Sequence, residues 1–333
     1  MKRYFFIGMV FLGVVWASEA PAGAVPRMII SVENNERHIH TIAVRRFADE
    51  IAQRLTGRMD VQFFSDARLY RDKDVVQALE QGKVEMAVPG TWHVSQFEPD
   101  VGVFMLPFFY GRPAAANYRA LDGRVGKMIN DRLQKNRQIK ILGRWLDLGH
   151  AHLFGISKKI SRHEDIKGLR VRIAGGAANK LRMDALGARP LIVAWPDLPE
   201  YMERGRVDAV LTSYATIQSA GLWEKGIKYV FEDREYFPQY IPMVRLSFWN
   251  KLSPDVREIL SETWEKHIEA SRNEAAEEQA AAKSNLIRNG VEVVVPDPQQ
   301  IEKWRKILMQ RQPEFVREMH LDPAVVREMD KDF

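Results

Sequence analysis

Cysteine is missing from all 333 residues. Its absence excludes disulfides, thiolate metal sites, cysteine nucleophiles and a lipid-modified N-terminal cysteine. A chain without disulfides must hold itself together through its apolar core, and 46% apolar residues over this length can supply one. Long blocks of one charge are missing as well. The 49 Lys and Arg are interspersed with 44 Asp and Glu, so the formal charge of +5 is diffuse. Diffuse charge builds no phosphate-tracking stripe, which argues against a nucleic-acid partner. Beyond the extreme N-terminus no apolar run approaches the roughly 20 residues that cross a bilayer. Nor is there a G-x-S-x-G elbow, an H-E-x-x-H motif or a complete G-x-G-x-x-G; Gly175-Gly176 is half a dinucleotide loop. With no nucleophile–base set in the sequence, catalysis and a bound cofactor are not expected.

What is present begins with an export signal. Lys2 and Arg3 precede a nearly all-apolar stretch, Tyr4 to Ala17, and Ala22-Gly23-Ala24 fits an A-x-A cleavage site. Residues 1–24 therefore read as a signal peptide, and the mature chain as a free periplasmic protein, expected to be monomeric.

Hydrophobic periodicity then gives an α/β pattern. Met28 to Val32, Met59 to Phe64 and Val84 to Val88 read as strands. Between them, Ile39, Ile42, Ala43, Phe47, Ile51 and Leu55 share one helical face, and Val75, Val76 and Leu79 mark a second helix. The pattern repeats with strands at Ile139 to Trp145, Ala151 to Ser157, Leu169 to Ile173, Leu191 to Ala194 and Val207 to Thr212. Helices are read at 176–186 and 196–204. Two α/β blocks in tandem predict two lobes. From Ser253 to Arg288 nothing breaks a helix: Ser253 suits the N-cap, Pro254 the first turn, and Asn289-Gly290 the stop. One helix of roughly 50 Å is predicted, with a kinked pair as the alternative.

The chemistry-bearing candidates are few. His38 with His40, and His150 with His152, form His-x-His pairs that could share a strand face and ligate a metal. No third ligand is placed, so a structural role is preferred and no metal is expected. Arg170 and Arg172 lie on one strand with the same parity, just before a Gly-led helix. A guanidinium fork beside a helix N-terminus is a carboxylate receptor, although a pair of surface arginines would look the same.

Longer motifs decide between these. Asp165-Ile166-Lys167-Gly168-Leu169-Arg170-Val171-Arg172 resembles the signature of TRAP-type (tripartite ATP-independent periplasmic) solute-binding proteins, the DctP-like family. The likeness continues through Asp184-Ala185-Leu186-Gly187-Ala188-Arg189-Pro190, Met202 to Ala209, Phe47 to Ile51, Ala78 to Ala87, Leu106-Pro107-Phe108 and Trp249 to Pro254. It implies an α/β, two-lobed periplasmic-binding fold with the long helix spanning both lobes. Lobe I would comprise 26–149 plus 238–277, and lobe II 150–237 plus 278–333. It further implies capture of a small organic carboxylate in the interlobe cleft and delivery to TRAP membrane subunits. A sensor-feeding binding module and a secreted α/β enzyme are the rivals. Carried over by position, Arg172 resembles the carboxylate clamp, Trp195 an aromatic packed over the ligand, and Thr212 a hydrogen-bonding position. Trp92 and Tyr214 come from loops expected at the cleft. Two departures stand out. His152 occupies a position where relatives often carry a second arginine, with Arg144, Arg170 or His150 as possible substitutes. Ala174 replaces a common proline.

Overall fold

The computed structural model describes residues 25–331, so the expected signal peptide lies outside the described residues. Strands β1 (Arg27–Ser31), β2 (Asp60–Phe64), β3 (Met86–Ala87) and β4 (Ile139–Ile141) come from the first part of the chain. A crossing through β5 (Leu146–Asp147) leads to β6 (Ala151–Gly155), β7 (Arg170–Ile173), β8 (Arg189–Ile192), β9 (Ala209–Thr212) and β10 (Tyr229–Tyr236). The chain returns through β11 (Gln239–Tyr240) to β12 (Met243–Arg245), and β13 (Glu292–Val294) follows the long helix. One sheet has the order β2-β1-β3-β12-β4 and the other β13-β10-β6-β9-β7-β8.

Each sheet owns a lobe, and local patterning explains why. β1 buries Met28 and Ile30 completely, and the helix Ile39–Arg54 turns Ala43, Val44, Phe47 and Ile51 onto the sheet. In the second lobe Val171 and Ile173 of β7, with Ala209 and Val210 of β9, are fully buried, as strands covered on both faces must be. The expected strand at Ile139 to Trp145 is shorter, ending at Ile141. Leu142 donates to the carbonyl of Pro242, but proline has no N–H to return, so the ladder with β12 stops there.

Four segments of the chain pass between the lobes, the fourth being the one after β13. β5 and β11 run antiparallel, Asp147 opposite Gln239 and Leu146 opposite Tyr240. The third is one unbroken helix of 35 residues, Pro254–Arg288, so the kinked alternative does not occur. Near its start Trp264 meets Phe47 edge-on, with ring centroids 5.3 Å apart. Near its end Ala282 and Leu286 enter the second lobe's core, and Asn285 donates to Gln218 at 2.8 Å. After β13, helices Pro298–Gln310, Gln312–Glu318 and Pro323–Lys331 close the chain. Sequence position put this stretch with the second lobe, yet the last helix packs on Arg124–Arg137, which covers β4. Arg132 pins it there by bridging Asp100 and Asp322.

Candidate functional site

In each sheet, neighbouring parallel strands end side by side, and open α/β sheets bind ligands beyond such carboxyl ends. β1 is parallel to β2 and β3, and β7 is parallel to β8 and β9. Glu33 and Asn34 follow β1, Asp72 follows β2, and Trp92 follows β3. From the other lobe come Arg172 on β7, Trp195 after β8, and Thr212 ending β9. These residues, with Thr216, Tyr236 and Tyr240, line an interlobe cavity.

Arg172 is only 2% exposed. Its Nε donates to the Val193 carbonyl at 3.0 Å, and its guanidinium carbon lies 5.5 Å from the Trp195 ring centroid. Among the described residues no carboxylate comes within ion-pairing distance of it. Burial lowers its pKa to about 10, against the pull of Glu33, so it stays charged at neutral pH. Its neighbours in sequence and in burial behave differently. Arg170 forks onto Asp208 at 2.8 and 3.0 Å and is 41% exposed. Arg182, also fully buried, is neutralised by Glu235 at 2.5 Å. A buried guanidinium without an anion is costly, and the cavity is where an anion would enter.

The opposite wall is acidic. Glu33 accepts from the Asp72 backbone N–H at 3.3 Å, and Asp72 accepts from the Gly90 N–H at 3.3 Å. Burial raises the pKa of both carboxyls, and each ionised acid opposes ionisation of its neighbour. His93, held neutral by burial with a pKa near about 3, brings a ring nitrogen into the same cluster. One ligating atom each from Glu33, Asp72 and His93 lies within 4.8 Å of the others, so this trio is where a cation could be held. The buried indole N–H of Trp92 has no protein partner.

The lobes touch across the cavity. Arg71 forks onto Asp197 at 3.0 and 3.2 Å, His38 Nε2 lies 3.2 Å from the Thr216 hydroxyl, and Asn35 donates to the Ser219 carbonyl at 3.3 Å. Gly176, at φ +85°, approaches the Trp92 backbone so closely that a Cβ would sit 3.3 Å from its carbonyl oxygen. The half dinucleotide loop thus serves as a smooth seat for the facing lobe.

Of the sequence-derived candidates, Arg172, Trp195, Thr212 and Trp92 converge on the cavity, and His152 and Tyr214 do not. His152 Nδ1 accepts the Arg234 backbone N–H at 3.2 Å, and burial holds its pKa well below the ordinary histidine value. Tyr214 begins the helix Tyr214–Ala220, packs edge-on against His152 with ring centroids 5.5 Å apart, and donates to Glu232 at 2.9 Å. Both line a larger cavity of about 360 Å³ between the long helix and β10. Its cations ask for no ligand: Arg272 pairs with Asp122, Lys283 with Glu232, and Arg234 is exposed. His38 and His40 are buried structural residues. His38 caps its helix, and the His40 ring stacks on Tyr240 at 3.8 Å. Sequence reading missed Glu33, Asp72, Tyr236 and Tyr240. The signal available for Glu33 was its place just past the end of β1, and for Asp72 its place at the start of the helix Asp72–Glu80 that follows β2.

Comparison with known proteins gives the family and the fold. The family model described as bacterial extracellular solute-binding protein, family 7, matches residues 30–318. The chain is 27% identical over 239 residues to the C4-dicarboxylate-binding periplasmic protein DctP of Rhodobacter capsulatus, covering 70% of this chain and 69% of that one. It is 24% identical over 283 residues to the C4-dicarboxylate-binding protein DctB of Bacillus subtilis, covering 84% and 80%. Among solved structures, a TRAP periplasmic solute-binding protein from Shewanella oneidensis with bound succinate superposes with a TM-score of 0.84. That pair shares 19% identity, over 93% of this chain and 99% of the other. One from Ralstonia eutropha H16 with bound (S)-2-acetolactate gives 0.83 at 24% identity, over 92% and 98%.

Proposed function

The chain belongs to the bacterial extracellular solute-binding proteins of family 7, and we propose that it captures a small organic carboxylate in its interlobe cleft for uptake by a TRAP membrane transporter. The observation that carries this reading is Arg172, a buried guanidinium with no carboxylate partner among the described residues, facing the interlobe cavity. A ligand carboxylate would take the guanidinium's terminal N–H groups, and Trp195 would flank the pair. Thr212 and the Trp92 indole N–H would add hydrogen bonds from opposite lobes.

Work by such a protein is a shift of population from open to closed. Contacts available only when both lobes reach the ligand favour the closed state. Membrane subunits would then read the closed shape, and no bond is made or broken. Export to the periplasm by residues 1–24 is part of the same proposal.

A thermal-shift screen across mono- and dicarboxylates, hydroxy acids, keto acids, sugar acids and amino acids tests it. A true ligand raises the melting temperature in a concentration-dependent way, by mass action. The shift should vanish in Arg172→Ala. Stabilisation by uncharged sugars alone, or equal shifts in the variant, would reject the carboxylate reading.

A further inference from the structure

The cleft cavity is lined by acidic as well as basic side chains, and a simple carboxylate answers only the basic one. Glu33 and Asp72 line it as surely as Arg172 does, and neither has a basic side chain within ion-pairing distance among the described residues. Building on the proposal that Arg172 holds the ligand carboxylate, we infer that the ligand is an amino-carboxylate zwitterion whose protonated amine is held by Glu33 and Asp72.

Charge balance and donor count carry the argument. A dicarboxylate would force its second carboxylate against Glu33 and Asp72, a like-charge contact in a buried space. A plain monocarboxylate would leave those acids with nothing to bond. An ammonium group brings a positive charge and N–H donors to three acceptors: the two carboxylates and the neutral His93 ring, whose ligating atoms cluster within 4.8 Å. Trp92 and Tyr240, packed edge-on at 5.4 Å, supply aromatic surface of the kind that cations favour. The unpartnered Trp92 N–H and the unpaired Arg172 are donors for the carboxylate end. The site therefore has a donor half and an acceptor half, as a zwitterion requires.

The test uses the mature protein after EDTA treatment and calorimetry with matched trios. These are 4-aminobutyrate, butyrate and succinate; β-alanine, propionate and malonate; and L-proline with cyclopentanecarboxylate and cyclopentane-1,1-dicarboxylate. In at least one trio the amino member should bind on the order of 100-fold tighter than its partners, a desolvated charge pair being at stake. Glu33→Gln, and separately Asp72→Asn, should cut the amino preference, read as the ratio of amino to amine-free affinity, by about 10-fold or more. A preference for the dicarboxylate or amine-free member, or no binding by any amino member, overturns the inference. So does binding that appears only when Ca²⁺ or Zn²⁺ is restored, because the acids would then serve a metal. Amine-free members that bind in an Arg172-dependent way would sink this inference and leave the carboxylate proposal standing. An amino member that binds Arg172→Ala as well as wild type would sink the carboxylate proposal instead.

Discussion

At the residue scale, two arginines with identical strand parity have opposite fates. Arg170 spends its fork on Asp208 at the surface, whereas Arg172 is buried with no anion. Sequence could place both on one strand but could not choose between them, because the choice depends on Asp208 lying alongside β7. The family motif made the choice. The same motif drew His152 toward the ligand, and there the backbone N–H of Arg234 intervened. His152 is instead a neutral core residue, and its titration sign can be worked out. Its folded pKa lies below the unfolded value of about 6.5, so its stabilising contribution is complete above that pH and lost as pH falls through it. In chemical denaturation, the stability gap between wild type and His152→Gln should therefore shrink between pH 7.5 and 5, by up to about 2 kcal/mol. Ligand affinity and its pH dependence should be the same in both proteins. A His152→Gln variant that binds more weakly only at low pH would return this histidine to the site.

At the element scale, most strands and helices were legible from periodicity and caps. The long helix is the clearest case: Ser253, Pro254 and Asn289-Gly290 bound it as read. The acceptor half of the site was not legible. Glu33 and Asp72 look like ordinary polar residues after strands until the sheets are assembled and their carboxyl ends face each other. Pro242 shortened β4 for a reason that only the partner strand reveals. Because the long helix touches helix Ile39–Arg54 in one lobe and helix Tyr214–Ala220 in the other, it should resist closure as a strut. Ala276 is exposed near its middle, so Ala276→Pro tests the backbone rather than packing. We expect a loss of about 3 kcal/mol or more in stability. If the variant stays folded, small-angle scattering should show an altered open-to-closed change on ligand addition. An unchanged scattering difference would remove the helix from the closing motion.

For the whole molecule, the central event is two lobes meeting around a small charged ligand. The Arg71–Asp197 fork is a cross-lobe contact near the surface, with its side chains 38% and 44% exposed. Exposed pairs are worth at most about 1 kcal/mol, so Asp197→Asn should weaken binding by less than about 5-fold, chiefly through faster release. Added salt should erase most of that difference. A loss as large as that of Arg172→Ala would mean that the latch, and not the buried guanidinium, holds the cleft shut.

The most direct measurement is calorimetry of wild type, Arg172→Ala, Arg172→Lys and Arg170→Ala with the carboxylate that most stabilises the wild type. Truncating a desolvated, charge-assisted pair costs about 2–5 kcal/mol, so Arg172→Ala should lose roughly 30-fold to several thousand-fold in affinity. Arg172→Lys should also bind weakly, since lysine keeps the charge but not the planar fork. Arg170→Ala should stay within about 3-fold of wild type, because its guanidinium is already paired with Asp208 and does not line the cavity. Unchanged affinity in Arg172→Ala, or a larger loss in Arg170→Ala, would contradict the account.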